Sequence, residues 1–169
     1  MGIAKFIDHS ILKPQTTEKD LEEQIKRCIG LKVYTVCVYP YWVKRAVELA
    51  GGELVVCAVV SFPFGMDTKE QKPSQCLESL ESSAKELEIV MNFLTQEETK
   101  PAVELIAKSG MEFVKTSTGF SFSGATEEDV KLLYSVSRSR PKIKASSGIK
   151  AKEQGLGFLL LGAESICIF

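Results

Sequence analysis

Two lysines follow short apolar stretches in this 169-residue chain, and each precedes small residues and a glycine. Lys115 lies in EFVKTSTGF, residues 112–120, and Lys144 lies in KIKASSG, residues 142–148. Either lysine, taken alone, is also compatible with an exposed strand face, where most lysines are solvated. A lysine that points inward at the C-terminal end of a barrel strand has a different property: an apolar site lowers its pKa and makes it a nucleophile.

The two lysines together favour the chemical interpretation. If Lys115 and Lys144 come from neighbouring strands, their ammonium groups converge, and two like charges at short distance disfavour protonation of both. One amine can then be neutral near physiological pH. A neutral amine is the group that attacks an aldehyde to form a Schiff base. The paired motifs therefore predict amine-based covalent chemistry on a carbonyl substrate.

Composition excludes several classes of protein. Hydrophobic residues make up 44% of the chain and charged residues 25%, which is typical of a soluble globular protein. Lys+Arg number 21 and Asp+Glu 22, so there is no basic excess for a nucleic-acid partner. No apolar run approaches a membrane span, and the first residues lack the apolar core of a signal peptide. We therefore expect a cytoplasmic protein with neither a membrane nor a nucleic-acid partner.

The cysteines predict reduced thiols. There are five, an odd number, and no CxxC pair occurs among them. Without an export signal, free thiols in a reducing compartment are the expectation. With His9 as the single histidine and no cysteines close together in the sequence, we expect no zinc site.

Apolar runs alternate with amphipathic segments along the whole chain. Strands are predicted near residues 6–12, 33–38, 54–60, 87–91, 112–114, 142–144 and 165–169. Helices are predicted to begin at Thr17, Pro40, Thr95 and Thr126 and to cover residues 68–84 and 152–161, with Gly30 and Gly51 ending the first two. Pro73 predicts a late start or a kink in its helix. This alternation predicts one α/β domain, residues 1–169, with parallel strands.

The order of the motifs resembles that of the deoxyribose-phosphate aldolases, which are class I aldolases on a TIM barrel. The motifs are IDHSILKP (residues 7–14), VCVYP (36–40), SFPFG (61–65), FVKTSTG (113–119), GAT-x-EDV (124–130) and KAS-x-G (144–148). They cover nearly the whole chain. The resemblance implies the (β/α)8-barrel family and reversible cleavage of 2-deoxy-D-ribose 5-phosphate to glyceraldehyde 3-phosphate and acetaldehyde, with no cofactor and no metal.

The resemblance also implies roles for individual residues. Lys115 would form the Schiff base, Lys144 would lower its pKa, and Glu88 would be the acid/base group where the family has aspartate. Glu88 as a salt-bridge partner of Lys144 is the structural alternative. The implied substrate-binding residues are Asp8, Ser10, Cys37, Thr116, Gly119, Ser147, Gly148 and Lys150.

For three residues near these motifs a structural role stays open. Asp8 is equally well a cap or turn acceptor. His9 is expected to be structural, because the chemistry needs no imidazole. Cys37 is expected to be a small buried hydrophobe rather than a reactive group.

The chain departs from the family in two places. A helix–strand unit of roughly 35 residues is missing where Met91-Asn92 runs directly into Phe93. The chain also stops within the expected eighth strand, before the family's phosphate loop, and Ser147 replaces a glycine. A missing strand exposes sheet edges or tightens the barrel, so we expect a partner copy in a homo-oligomer. Two alternatives stay open: an altered product of a longer gene, and an inactive homologue that serves only in binding.

Overall fold

The computed structural model describes residues 3–68, 70–90, 103–104, 113–119, 124–137 and 141–168. The chain divides into two units, residues 1–91 with 169 and residues 92–168. The helix predicted to begin at Thr95 lies outside the described residues, apart from positions 103 and 104, which are helical. The junction at residues 91–93 and the two phenylalanines Phe120 and Phe169 also lie outside them.

The first unit contains four parallel strands that are neighbours in chain order. They are β1 (Ile7–Ile11), β2 (Thr35–Val38), β3 (Val55–Val60) and β4 (Glu86–Ile89). β2 and β3 are rich in valine and buried along nearly their whole length. Strands that are covered on both faces have this composition, and the predicted parallel arrangement is confirmed in this unit.

Helix α1 (Glu18–Leu31) follows β1 and begins at a capping box. Thr17 Oγ1 accepts a hydrogen bond from the backbone N–H of Asp20 at 3.2 Å, and Asp20 Oδ2 accepts one from the N–H of Thr17 at 2.9 Å. The predicted start is therefore confirmed. The predicted end at Gly30 is wrong. The helix continues through Leu31, and Lys32 takes the left-handed conformation with φ = 55°. Glycine is the most common residue with this conformation at a helix end, but other residues also adopt it.

The next two helices follow the predicted boundaries more closely. A 3₁₀ turn at Pro40–Trp42 leads into α2 (Val43–Ala50), which ends at Gly51 with φ = 55°, as predicted. Helix α3 (Gln71–Glu81) begins later than its amphipathic pattern does, and Pro73 is its third residue. A proline in the first turn removes no intrahelical hydrogen bond, so the expected late start is confirmed.

The helices of this unit cover one face of its strands. The apolar core joins strand residues and helix residues that are almost inaccessible to solvent: Ile11, Val36, Val38, Val56 and Ala58 from the strands, and Leu21, Ile25, Val43 and Ala46 from the helices. Side chains alternate between the two faces of a strand. The odd-even pattern therefore places Asp8, Ser10, Cys37 and Cys57 on the opposite face.

The described residues of the second unit include three strands and two helices with defined bounds, besides the helical positions 103 and 104. They are β5 (Phe113–Lys115), α4 (Glu127–Ser137), β6 (Lys142–Ser146), α5 (Lys152–Leu160) and β7 (Ser165–Ile168). β6 pairs in parallel with both β5 and β7. Thr126 Oγ1 accepts the backbone N–H of Asp129 at 3.1 Å, so the predicted cap of α4 is confirmed.

The core of the second unit again lies between helices and one strand face. It contains Val114, Ile143, Ala145 and Ile166 from the strands and Val130, Leu133 and Phe158 from the helices. The residues between them in the strands, which include Lys115 and Lys144, therefore occupy the other face. Among the described residues, no helix has the length and apolar character needed to cross a membrane.

Candidate active site

Lys115 and Lys144 are direct cross-strand partners in the second unit. β5 and β6 pair with Val114 opposite Ile143 and Lys115 opposite Lys144. Val114 and Ile143 enter the core with the helices. Both lysines consequently lie on the same face, side by side on neighbouring strands, which is the placement that convergence of their amino groups requires.

Lys144 is a buried lysine with an aromatic neighbour. Its side chain is 3% exposed, and Nζ lies 5.2 Å from the centroid of the Phe113 ring. Lys142 Nζ lies 5.4 Å from the same ring. The face of an aromatic ring attracts a cation, so contact with Phe113 offsets part of the cost of burying a charged ammonium.

Lys115 contacts a thiol that the sequence analysis did not select. Lys115 is half-buried, and its Nζ donates a hydrogen bond to Cys167 Sγ at 3.3 Å. Cys167 is fully buried on β7. The alternation of Ser165 and Cys167 with isoleucines in the sequence could have placed the thiol on the strand face away from the helices. Its contact with Lys115 depends on the register of the strands, which the sequence does not reveal.

The turn after Lys115 is attached to β6 by its first residue. The backbone N–H of Thr116 donates to the carbonyl oxygen of Lys144 at 3.1 Å, and Thr116 Oγ1 accepts the N–H of Ser146 at 3.0 Å. In the next residue of the turn, Ser117 Oγ accepts the N–H of Gly119 at 3.2 Å. These bonds hold Lys115 in place relative to Lys144.

The turn after β6 adopts left-handed backbone at two successive residues. Ser147 has φ = 76° and Gly148 has φ = 73°. The carbonyl oxygen of Ser147 accepts the N–H of Ala125 at 3.0 Å. Ser147 is buried, whereas Gly148 is exposed. Lys150 is also exposed, and its backbone N–H donates to Gln154 Oε1 at 3.1 Å.

The remaining predicted residues lie in the first unit. Asp8 and Ser10 are buried on β1, and Ser10 is the register partner of Cys37 on β2. Cys37 Sγ donates to Glu88 Oε2 at 3.6 Å. His9 faces the other way, and its Nε2 lies 3.0 Å from Gln24 Oε1, which agrees with a structural role.

The thiol of Cys37 is protonated near neutral pH. Burial, followed by the side chain of Cys57 and then the negative charges of Glu88 and Asp8, raises the pKa of Cys37 well above its usual value. A reactive cysteine needs the opposite shift. The environment therefore matches the expectation of a small buried side chain. Cys57, which the sequence analysis passed over, is its register partner on β3.

Comparison with known proteins identifies the family. No family model matches the chain. A curated relative from Aquifex aeolicus named deoxyribose-phosphate aldolase is 34% identical over 201 residues, which covers 98% of this chain and 91% of the relative. A relative of the same name from Listeria welshimeri is 36% identical over 203 residues, with the same coverage of both chains. The chain belongs to the deoxyribose-phosphate aldolase family.

Solved structures of deoxyribose-phosphate aldolases and a related aldolase have the same fold. The aldolase QR15 superposes with a TM-score of 0.91 at 34% identity, over 98% of this chain and 90% of the other. A protein from Coccidioides immitis described as a putative deoxyribose-phosphate aldolase gives 0.93 at 28% identity, over 98% and 81%. A tetrameric deoxyribose phosphate aldolase from Aeropyrum pernix gives 0.90 at 22% identity, over 98% and 86%. The predicted α/β, TIM-barrel-family fold is confirmed.

As a member of this family, the chain is a deoxyribose-phosphate aldolase-like carbon–carbon lyase. The match to the Aquifex protein extends over 201 residues, more than the 169 of this chain, so that aldolase contains positions that have no counterpart here. A missing internal segment was predicted from the motif order. The roles of individual residues and the location of the missing segment stay predictions.

Proposed function

We propose that the chain reversibly cleaves 2-deoxy-D-ribose 5-phosphate to glyceraldehyde 3-phosphate and acetaldehyde through a Schiff base on Lys115. The observation that carries this proposal is the cross-strand pairing of Lys115 with Lys144. The substrate of the proposal is taken from the names of the curated relatives. The paired amines provide a nucleophile that can attack the aldehyde of that sugar.

The first step needs Lys115 as a neutral amine. We infer that Lys144 carries the charge, because its Nζ lies over the Phe113 ring, and a positive charge there disfavours a second one on Lys115. Lys115 Nζ attacks the aldehyde carbon of the open-chain sugar. Loss of water from the resulting carbinolamine leaves a positively charged iminium.

The iminium then serves as the electron sink for bond cleavage. A base removes the proton of the hydroxyl group on carbon 3, the bond between carbons 2 and 3 breaks, and its electron pair moves toward the iminium nitrogen. Glyceraldehyde 3-phosphate leaves, and an enamine stays on Lys115. Protonation of the enamine carbon and hydrolysis release acetaldehyde and restore the amine. Glu88 is the acid/base group that the family resemblance implies for these proton transfers.

The phosphate of the substrate would be bound by turns of the second unit. Gly119 and Gly148 are both exposed and both have positive φ, with Ser147 beside Gly148. Backbone N–H groups in such turns can bind an anion, and Lys150 adds an exposed positive charge nearby in the sequence. Thr116 is proposed as a neighbouring hydroxyl contact. Asp8, Ser10 and Cys37 are proposed contacts for the sugar.

We further propose that residues 1–169 act as one domain in a cytoplasmic homo-oligomer. Five free cysteines fit a reducing compartment. The Aeropyrum relative in the solved structures is described as tetrameric. Sedimentation velocity would test the assembly, and a single monomeric species across concentrations would contradict it.

Chemical trapping tests the Schiff base directly. The protein is incubated with acetaldehyde and reduced with borohydride, and its mass is measured intact and after digestion. We expect one two-carbon adduct at Lys115, and none in Lys115→Met. Lys131→Met is the matched control, because Lys131 is an exposed lysine of the same unit that pairs with Glu127.

A negative result would support the second candidate function. The positions that the Aquifex relative has and this chain lacks favour an inactive homologue with a binding role. Folded wild-type protein that gives no adduct, and that does not cleave deoxyribose phosphate in an assay coupled to acetaldehyde reduction, would replace the aldolase proposal with that candidate.

A further inference from the structure

Three metal-ligating side chains meet on the strand face of the first unit that points away from its helices, where Cys37 and Cys57 are fully buried. The sulfur atoms of Cys37 and Cys57 and a carboxylate oxygen of Glu88 all lie within 4.8 Å of one another. We propose that these three residues form a binding site for a thiophilic divalent cation, with Zn²⁺ as the best-fitting ion. The proposed Schiff-base reaction uses no metal ion, although it uses two of these residues, Cys37 and Glu88.

Register brings the three residues together from separate strands. Cys37 on β2 is the direct partner of Cys57 on β3. Glu88 on β4 pairs with Val59, two residues after Cys57 and therefore on the same face. The ligands are far apart in the sequence and form no CxxC-type motif. The expectation that the chain lacks a zinc site rested on that missing motif and on the single histidine, His9.

The distances suit a tetrahedral ion with little movement. Zn–S bonds of about 2.3 Å and Zn–O bonds of about 2.1 Å place neighbouring tetrahedral ligands roughly 3.6–3.8 Å apart. Cys37 Sγ and Glu88 Oε2 are already 3.6 Å apart. The other pairs are separated by no more than 4.8 Å, so rotamer adjustments of about 1 Å complete the triangle.

The ligand set favours a soft or borderline cation. Two thiolates and one carboxylate suit Zn²⁺ or Cd²⁺, whereas Mg²⁺ and Ca²⁺ prefer oxygen ligands alone. On binding, each thiol releases its proton to solvent, the two sulfurs and the carboxylate bond to the cation, and no oxidation takes place. The ion supplies the positive charge that makes two neighbouring buried thiolates tolerable. Three protein ligands leave the fourth position for water.

A second group shares one of these ligands but suits such an ion less well. Asp8, Cys57 and Glu86 also offer atoms within 4.8 Å of one another. This group contains one sulfur instead of two. In addition, Glu86 Oε1 accepts the hydroxyl proton of Tyr34 at 3.0 Å, so coordination competes with an existing hydrogen bond. The carboxylates of the second group instead add negative potential that attracts a cation to the first.

A cation bound at this site would prevent the Glu88 carboxylate from transferring protons. That consequence rests on the proposed function, whereas binding of the ion does not. Binding is therefore measured without reference to activity, and an inactive protein that binds the ion would separate the two proposals.

Cadmium titration of the full chain tests the site. The protein is reduced, freed of metal and titrated with Cd²⁺ under anaerobic conditions, while the ultraviolet thiolate-to-cadmium charge-transfer band is recorded. We expect saturation at one ion per chain and displacement by Zn²⁺. Cys57→Ala and Glu88→Gln should each weaken binding by at least about 100-fold, since even indirect contacts of a bound metal contribute 10–100-fold.

Two matched variants keep the test decisive. Cys76→Ala removes a thiol that is more accessible than those of the site and lies outside it, and it should leave binding unchanged. Glu86→Gln should change affinity far less than Glu88→Gln. Wild-type affinity in folded Cys57→Ala or folded Glu88→Gln overturns the proposal. Loss of the signal in Cys76→Ala, or a larger effect of Glu86→Gln than of Glu88→Gln, overturns it as well. Thermal melting of each variant establishes that it is folded.

Discussion

Lys115 on β5 and Lys144 on β6 are register partners that share the strand face opposite the helices of their unit. Lys144 is buried and lies over the ring of Phe113, whereas Lys115 is half-buried and donates to Cys167 Sγ. The two lysines therefore occupy different environments although their backbone positions are equivalent. Such a difference is what an enzyme needs to hold one amine charged and to use the other as a nucleophile.

Replacing Lys144 should change the pH dependence of Schiff-base formation. Lys144→Met keeps most of the length of the side chain but removes the amine and its positive charge beside Lys115. The pKa of Lys115 should then rise, so that trapping with acetaldehyde and borohydride needs a higher pH and slows about tenfold near neutral pH for each unit of the rise. The rate of trapping measured against pH provides the midpoint.

The control for this experiment is Lys142→Met. Lys142 lies on the same strand and contacts the same ring, but its register partner is Phe113, not Lys115. It should leave the midpoint nearly unchanged. An unaltered midpoint in Lys144→Met would show that the neighbouring charge does not set the reactivity of Lys115.

Shortening Glu88 tests its predicted acid/base role. Misplacement of a catalytic group by about 1 Å can cost ~100-fold in rate, and glutamate carries one methylene more than the family's aspartate. Glu88→Asp should therefore retain or increase kcat, whereas Glu88→Gln, which cannot exchange a proton at that site, should lower it by about 100-fold. Steady-state cleavage of deoxyribose phosphate provides both values. Equal activity of Glu88→Gln and wild type would remove Glu88 from the mechanism.

Gly124 should be intolerant of any side chain. A Cβ at this position would lie 2.9 Å from Gly148 Cα and closer still to the carbonyl oxygen of Ser147. Both neighbours are backbone, so Gly124→Ala must displace the turn after Lys144, at a cost of about 1–3 kcal/mol. Thermal or urea unfolding measures the loss.

Gly157 on α5 provides the matched comparison. A Cβ there meets nothing within 4 Å, and alanine is a better helix former than glycine by about 0.5–1 kcal/mol. Gly157→Ala should therefore leave the stability unchanged or raise it. If both alanine variants had the same stability, the close approach of Gly124 to the turn would be incorrect.

Cys28 predicts a loss of stability at alkaline pH. Burial raises the pKa of the Cys28 thiol from its ordinary value near 9.0 to about 11. Its contribution is complete below pH 9. As the pH rises from 9 to 11, the thiol ionises in the unfolded chain but not in the folded one, so stability falls by up to ~2 kcal/mol.

Cys28→Ala isolates this contribution. The variant loses some packing at every pH, but the ionisable group is gone, so the difference in unfolding free energy between wild type and variant should shrink from pH 9 to 11. Burial also raises the pKa values of Cys37 and Cys76, which are present in both proteins and cancel in the difference. A difference that stays constant across this range would contradict the pKa shift.

Local features of the fold followed from the order of residues. The hydroxyl caps at Thr17 and Thr126 and the late start at Pro73 depend on contacts within a few residues, and their structures match the predictions. Gly30 was the exception. Helix α1 continues past it because glycine only mildly disfavours a helix whose apolar side is packed, and Lys32 supplies the left-handed residue instead.

The amino-acid sequence by itself determined the alternation of strands and helices, the two lysine motifs and the family, because these depend on periodicity and on neighbouring residue types. Which side chains touch across strands was decided only by the tertiary structure. Lys115 meets Cys167, and Cys37 meets Cys57 and Glu88, through the register of parallel strands. A shift of one residue would turn each of these side chains to the opposite face, and no local pattern in the chain encodes that choice between strands.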